Sequence, residues 1–246
     1  KYALISLITI LSGWNLMSKH INFKNNKEKI VVKSNANLRV MSFNVHMFKK
    51  YNNDKDNFRE ETLELVKALT PDIICFQEFY SRIKGTKQFT KTLKNTGDFE
   101  DYYFEPSTKN DYEGYGQAIF SKDPIINYGT IHHNSYGLNR IIYADIKREG
   151  DTIRVYNVHL RSFALQEEDK EFVQKSTTNL QSSDEKKTKR VGRKLKRAFS
   201  NRSDQAKSLR THIDECPYPY IIMGDFNDTP MSYSVNLISA GMNNAF

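Results

Sequence analysis

The sequence predicts a layered α/β domain, and three observations carry that prediction. Short β-rich apolar runs alternate along the chain with segments whose apolar residues recur at helical spacing. No internal repeat breaks that alternation. The chain has 246 residues, 38% of them hydrophobic and 12% aromatic, which is enough to bury a core and excludes a disordered chain. Two cysteines supply neither a disulfide framework nor a thiolate metal site. Cys75 lies in an apolar run and reads as a small buried hydrophobe, and Cys216 precedes Pro217 in a loop.

The elements follow in order. Tyr2 to Met17 reads YALISLITILSGWNLM, nearly uncharged and a little short of the ~20 residues of a full span. Residues 1–21 are expected to be the end of a transmembrane helix, with a signal sequence or a buried helix as alternatives. Lys19, Lys24, Lys27, Lys29 and Lys33 follow it and favour a cytoplasmic C-terminal side. The Lys/Asn-rich stretch 22–37 reads as a linker, and 38–246 as the globular domain. LRVMSFNV (38–45) is a strand. Phe58, Thr62, Leu65, Val66 and Leu69 predict a helix over 57–69, which Pro71 ends. IICF (73–76), QAIF (117–120), RIIYADI (140–146), TIRVYNVHL (152–160) and YIIMG (220–224) are further strands. A helix is expected near 86–95, and loops over 79–115 and 127–139 otherwise. Residues 161–190 read as a polar insertion. Val191, Leu195, Phe199, Ala206, Leu209 and Ile213 then form one stripe of a helix over 190–214.

Polar residues gather where the strands end. Asn44 closes the first, Glu78 follows IICFQ, Asn157 and His159 end another, and Asp225 and Asn227 follow YIIMG. Each alone has an ordinary explanation as a turn or cap residue. Together they bring carboxylates, amides and an imidazole to one edge of a layered domain, where sites form. Asn157 and His159, two apart on a strand, face the same way. These residue types suit attack of water on a phosphodiester. Glu78 is the carboxylate for a hard cation, and Asn44 offers an amide oxygen to that cation or to a water it holds. Mg²⁺ is preferred because it keeps waters and needs few protein ligands, with Mn²⁺ as a substitute. Asp225 would orient or deprotonate the water, and Asn227 and His159 would donate to the phosphate or assist the leaving group. A zinc centre is disfavoured: there is no H-E-x-x-H and no C-x-x-C, and His132-His133 is an adjacent pair in a loop. Phosphate-loop and serine-elbow chemistry lack their motifs.

The pieces MSFNV (41–45), PDIICFQE (71–78), GQAIFSKDPI (116–125), YNVHL (156–160) and GDFNDTP (224–230) stand in one order over Leu38 to Pro230. In this the chain resembles the endonuclease/exonuclease/phosphatase superfamily, with the DNase I-like fold. The resemblance implies a four-layer α/β sandwich with two central mixed β-sheets. It implies Asn44 and Glu78 in metal binding, a catalytic His159, Asp225 on the nucleophile, and Asn227 on the transition state. It also implies that Asn157 supports the phosphate or His159. RAFSNRSDQAKSLRTHI (197–213) and GDFNDTPMSYS (224–234) are similar to a membrane-anchored bacterial subgroup, which places the protein at a bacterial cell membrane. The family's closing Asp-His pair does not occur in this chain, and residues 231–246 hold neither Asp nor His. The expectation is a chain cut short before its final strand, with little or no turnover by itself.

Formal charge is +8 overall and +10 within Lys186 to Arg210, so the rest is near neutral. The basic helix 190–214 reads first as a solvated face, then as a surface for anionic lipid, then for nucleic acid. Phe199 alone interleaves aromatics there, which argues against stacking of single-stranded bases. The expected activity is a Mg²⁺-dependent phosphodiesterase acting on nucleic acid, phospholipid or sugar phosphate. A membrane-tethered binding module without catalysis and a phosphomonoesterase are the alternatives.

Overall fold

The structure, a computed structural model, describes Ser6 and residues 11–14, 37–50, 53–131, 139–163, 165–178 and 184–243. Two four-stranded sheets form its centre. The first has the order β1-β4-β6-β5, from β1 (Val40–Asn44), β4 (Ile73–Arg82), β5 (Asp101–Lys109) and β6 (Glu113–Ser121). The second has the order β10-β9-β8-β7, from β7 (Ile125–Ile131), β8 (Ile141–Arg148), β9 (Asp151–His159) and β10 (Tyr220–Asp225). Each sheet joins one parallel pair, β1 with β4 and β10 with β9, to antiparallel neighbours. Both are therefore mixed, as expected. A short hairpin, β2 (Lys49–Lys50) with β3 (Asn53–Asn57), follows the first strand.

Three apolar layers hold the sandwich. Ile73, Cys75, Ile119, Ile142, Ala144 and Val155 pack between the sheets. The outer face of the first sheet is covered by α1 (Arg59–Leu69) and α2 (Phe89–Thr96), through Val66, Phe89 and Leu93. On the second sheet lie α4 (Glu185–Asp214) and α5 (Tyr233–Ile238), through Ala206, Leu209, Ile213 and Ile238. The preceding helix, α3 (Glu167–Thr178), is tied to α4 by the buried Asp169, 2.5 Å from Lys194 Nζ and 2.7 Å from Arg190 Nη2. Local chemistry sets the helix ends. Thr70 closes α1 in a left-handed conformation just before Pro71, and Asp184 caps α4 by accepting from the amides of Lys186 and Lys187.

Several sequence expectations change. The helix expected near 86–95 is α2, but the rest of 79–115 holds the end of β4, β5 and the start of β6 rather than loop, and 127–139 opens with most of β7. Both missed strands are edges. β5 carries Pro106, and β7 exposes Ile126 and Tyr128, so neither shows the buried apolar run of a central strand. The supposed insertion 161–190 contains α3 and the start of α4, which begins at Glu185. The buried stripe of α4 runs through Val191, Ala198, Arg202, Gln205, Ala206, Leu209 and Ile213. Phe199 is 49% exposed and lies off it, while Arg202, expected on the basic outer face, is fully buried. Most of Tyr2–Met17, nearly all of the linker 22–37, and His132-His133 lie outside the described residues. Among the described residues no helix is long and apolar enough to cross a membrane.

Candidate active site

The two sheets deliver their polar strand ends to one edge. Glu78 arrives there through a β-bulge. Phe76 pairs with Ala118 and Phe79 with Gly116, so Gln77 and Glu78 stand opposite Gln117 alone. Glu78 takes φ 53°, a left-handed conformation that costs a residue with a Cβ about 1–2 kcal/mol. The bulge turns its carboxylate out of the strand alternation and toward β1 and the second sheet.

Asn157 holds that bulge in place. It is fully buried, and it reaches across from the second sheet. Its Nδ2 donates to the carbonyls of Phe76 (2.9 Å) and Ala118 (3.0 Å), and its Oδ1 accepts from Gln77 Nε2 at 2.7 Å. Both amide hydrogens are thereby engaged. The expectation of Asn157 as a phosphate ligand is corrected: an acceptor such as phosphate finds no hydrogen left on it. Its role is to satisfy the carbonyls at the bulge that aims Glu78.

The other residues converge as the sequence suggested. Asn44 Nδ2 donates to Asp225 Oδ2 at 2.9 Å and lies 3.3 Å from Glu78 Oε1. One amide nitrogen thus bridges carboxylates from the two sheets. Asn44 Oδ1 accepts from the His46 amide at 3.1 Å, so its nitrogen, not the expected oxygen, faces the carboxylates. His46, Met47 and Phe48 all have positive φ, which turns the chain sharply after Asn44. Asp225 stands beside His159 in the β10–β9 register, and its Oδ1 accepts from the Asn227 amide at 2.9 Å. Gly224 makes that register possible: its φ is 146°, and a Cβ there would lie 1.9 Å from Val158 O. Asn227, with φ 50°, gives one side-chain hydrogen to Leu160 O (2.9 Å) and keeps the other.

His159 is buried, with Nε2 3.8 Å from Glu78 Oε1. Burial lowers its pKa, opposed by Asp225 and then Glu78, so the ring is held toward its neutral form. Its Nε2 lies 2.8 Å from Asn139 Nδ2. Burial and the hydrogen-bonded Glu78 carboxylate raise the pKa of Tyr115. The phenol therefore stays protonated and donates to Glu78. Sequence reading missed Asn139, Tyr115 and Gln77. Asn139 stands just before the RIIYADI strand, a strand-end position like those of the residues that were found.

Among the described residues no group of three or more His, Cys, Asp or Glu is placed to hold a metal. The donors on hand are the oxygens of Glu78 and Asp225, with Asn44 Oδ1 available after a half-turn of its amide. Hard oxygen donors in small number fit an ion that retains waters.

This fold and site define a class: a two-sheet α/β sandwich whose parallel strand ends join carboxylate, amide and imidazole in the manner of a phosphoester hydrolase. The chain belongs to the endonuclease/exonuclease/phosphatase family, whose sequence pattern matches residues 41–245. That family acts on phosphoesters and typically uses a divalent metal. A search of curated proteins gave no match. Among solved structures, the chain is similar to an endonuclease/exonuclease/phosphatase from Beutenbergia cavernae, with TM-score 0.54 and 15% identity over 82% of this chain and 52% of that one. It spans about half that protein's length. It is also similar to sphingomyelinase C from Streptomyces griseocarneus, with TM-score 0.52 and 16% identity over 82% and 68%. A humanized Danio rerio TDP2 gives TM-score 0.50 and 16% identity over 85% and 72%. At such identities these likenesses speak for the fold.

Proposed function

We propose that the protein hydrolyses phosphodiester bonds with Mg²⁺, which Mn²⁺ can replace. The observation that carries this reading is the pair of carboxylates, Glu78 and Asp225, that meet across two sheets on the single nitrogen of Asn44. Two anions sharing one neutral donor leave negative charge unbalanced, and a hard cation is its natural complement. Glu78 and Asp225, with Asn44 through its oxygen, would hold it, and bound there it would neutralise charge building on the phosphate. Asp225 is pinned at both oxygens and so is oriented to align a water and take its proton. The second side-chain hydrogen of Asn227 would be offered to the charge developing on the phosphate. His159, buried and neutral, donates to the phosphate or assists the departing alkoxide.

The test is release of p-nitrophenolate from bis-p-nitrophenyl phosphate by the protein. Activity is expected with Mg²⁺, to vanish with EDTA, and to fall by roughly 100-fold or more in Glu78→Ala and Asp225→Ala. Faster hydrolysis of p-nitrophenyl phosphate would turn the reading toward a phosphomonoesterase. Absence of both activities would leave a binding module. Membrane attachment through residues 1–21 is a separate proposal, resting on the apolar run Tyr2–Met17. Recovery of the native protein from the soluble fraction of its cell would remove it.

A further inference from the structure

Beside Asn227 opens a cleft of about 440 Å³ that none of the chemistry above uses. Its apolar walls are Phe163, in the segment following β9, Phe199 on α4, and Met231. Phe163 and Phe199 meet edge to face, with ring centroids 5.5 Å apart at 77°. Behind them lies the buried guanidinium of Arg202, 4.4 Å from the Phe163 centroid and 4.8 Å from that of Phe199. Arg202 is fixed in turn by Asp228 Oδ2 (2.9 Å) and by the carbonyl of Arg161 (2.8 Å). The two rings are thus propped from behind rather than folded into a core, and Phe199 remains 49% exposed. The rest of the lining is polar, with Asn227, Thr229 and Ser232 among it.

We propose that this cleft is a subsite for a nucleobase attached to the scissile phosphate, and that the exposed basic face of α4 guides the remaining strand. The inference deepens the phosphodiesterase reading and rests on it for the position of the phosphate. Three features choose the occupant. Apolar ring faces bounded by hydroxyl and amide groups match a planar heteroaromatic ring with a polar edge. The cleft also shares Asn227 with the site, two residues from Asp225, so a group joined to a phosphate held there would lie beside it. Finally, Arg193, Lys196 and Arg197 are exposed on the helix that carries Phe199, an electrostatic track for a polyanion. Phe163 supplies the second aromatic that the sequence of the helix alone did not show.

The experiment measures anisotropy of fluorescein-labelled dT12 on the full chain in EDTA, which separates binding from hydrolysis. Phe199→Ala should weaken binding roughly tenfold, Phe199→Leu should do nearly the same, and Phe199→Trp should restore it. Lys196→Glu with Arg197→Glu should weaken binding and reduce the salt slope by roughly 2. Equal affinity of Phe199→Ala and wild type would overturn the subsite. So would Phe199-dependent binding to phosphatidylglycerol vesicles without binding to dT12, which would assign the cleft to lipid. A parallel assay compares thymidine 5′-(p-nitrophenyl phosphate) with ethyl p-nitrophenyl phosphate on the protein. Phe199→Ala should raise KM for the first alone. Intact dT12 binding without hydrolysis of either ester would sink the phosphodiesterase reading and leave the base subsite standing.

Discussion

At Glu78 the backbone is left-handed, and only the bulge and its partners keep it there. Asn tolerates this conformation better than Gln does. Glu78→Asn is therefore expected to melt about 2 °C above Glu78→Gln, with both variants inactive. Equal melting temperatures in a thermal scan would remove the strain argument. Asn157 makes the complementary case. Asn157→Ala leaves the carbonyls of Phe76 and Ala118 and the amide of Gln77 without their partner, at a cost of roughly 3–5 kcal/mol in stability. KM of the surviving folded protein should change little. A raised KM with unchanged melting would restore Asn157 as a phosphate ligand. The pair shows what sequence can tell about single residues. The meeting of Asn44, His159 and Asp225 was legible because each closes a strand, and that of Glu78 because it follows the apolar run IICF. That Asn157 faces a bulge was not, because a bulge is a relation between two strands and leaves no mark in one.

Elements show the same division. The central strand β4 announces itself by the unbroken apolar run IICF, and α1 by its 3.6-residue period. The edges β5 and β7 are half exposed and lack that pattern, so they were read as loop. Helix α4 was visible, but Phe199 and Arg202 exchanged their expected places. Arg202 is buried because Asp228, far along the chain, and two aromatic rings receive it, and no local period records that. On β10 the glycine before Asp225 has both a positive φ and no room for a methyl group. Gly224→Ala should destabilise the protein by about 2–4 kcal/mol and displace Asp225 from Asn44, so activity falls even where the variant stays folded. On α4, burial and then Arg154 lower the pKa of His212, against raising by Glu215 and Asp145. The folded pKa lies below the unfolded one near 6.5, so this contribution to stability is complete above that pH and lost as pH falls through the folded value. His212→Gln should accordingly show a smaller fall in melting temperature than wild type between pH of about 7.5 and 5.5. An unchanged fall would dismiss His212 as a contributor.

In the whole molecule, the two sheets are joined by an apolar layer along their length and by charged groups at one edge. Those two contacts respond differently to solution conditions. The apolar layer is indifferent to divalent cations. The edge is not, because Glu78 belongs to the first sheet and Asp225 to the second, and the neutral Asn44 amide bridges them. A cation held by both would bind the folded state alone, since the unfolded chain has no reason to bring residues of β4 and β10 together. Mg²⁺ at ten times its dissociation constant would then add about 1.4 kcal/mol, or roughly 4 °C in melting temperature for a domain of this size. The comparison is against NaCl of equal ionic strength, which screens the same repulsion without bridging it. Glu78→Gln and Asp225→Asn should each abolish the Mg²⁺ increment while raising the melting temperature in its absence, because removing either charge relieves the other. An increment that survives in both variants would place the cation elsewhere on the protein and separate the metal from this edge of the sandwich.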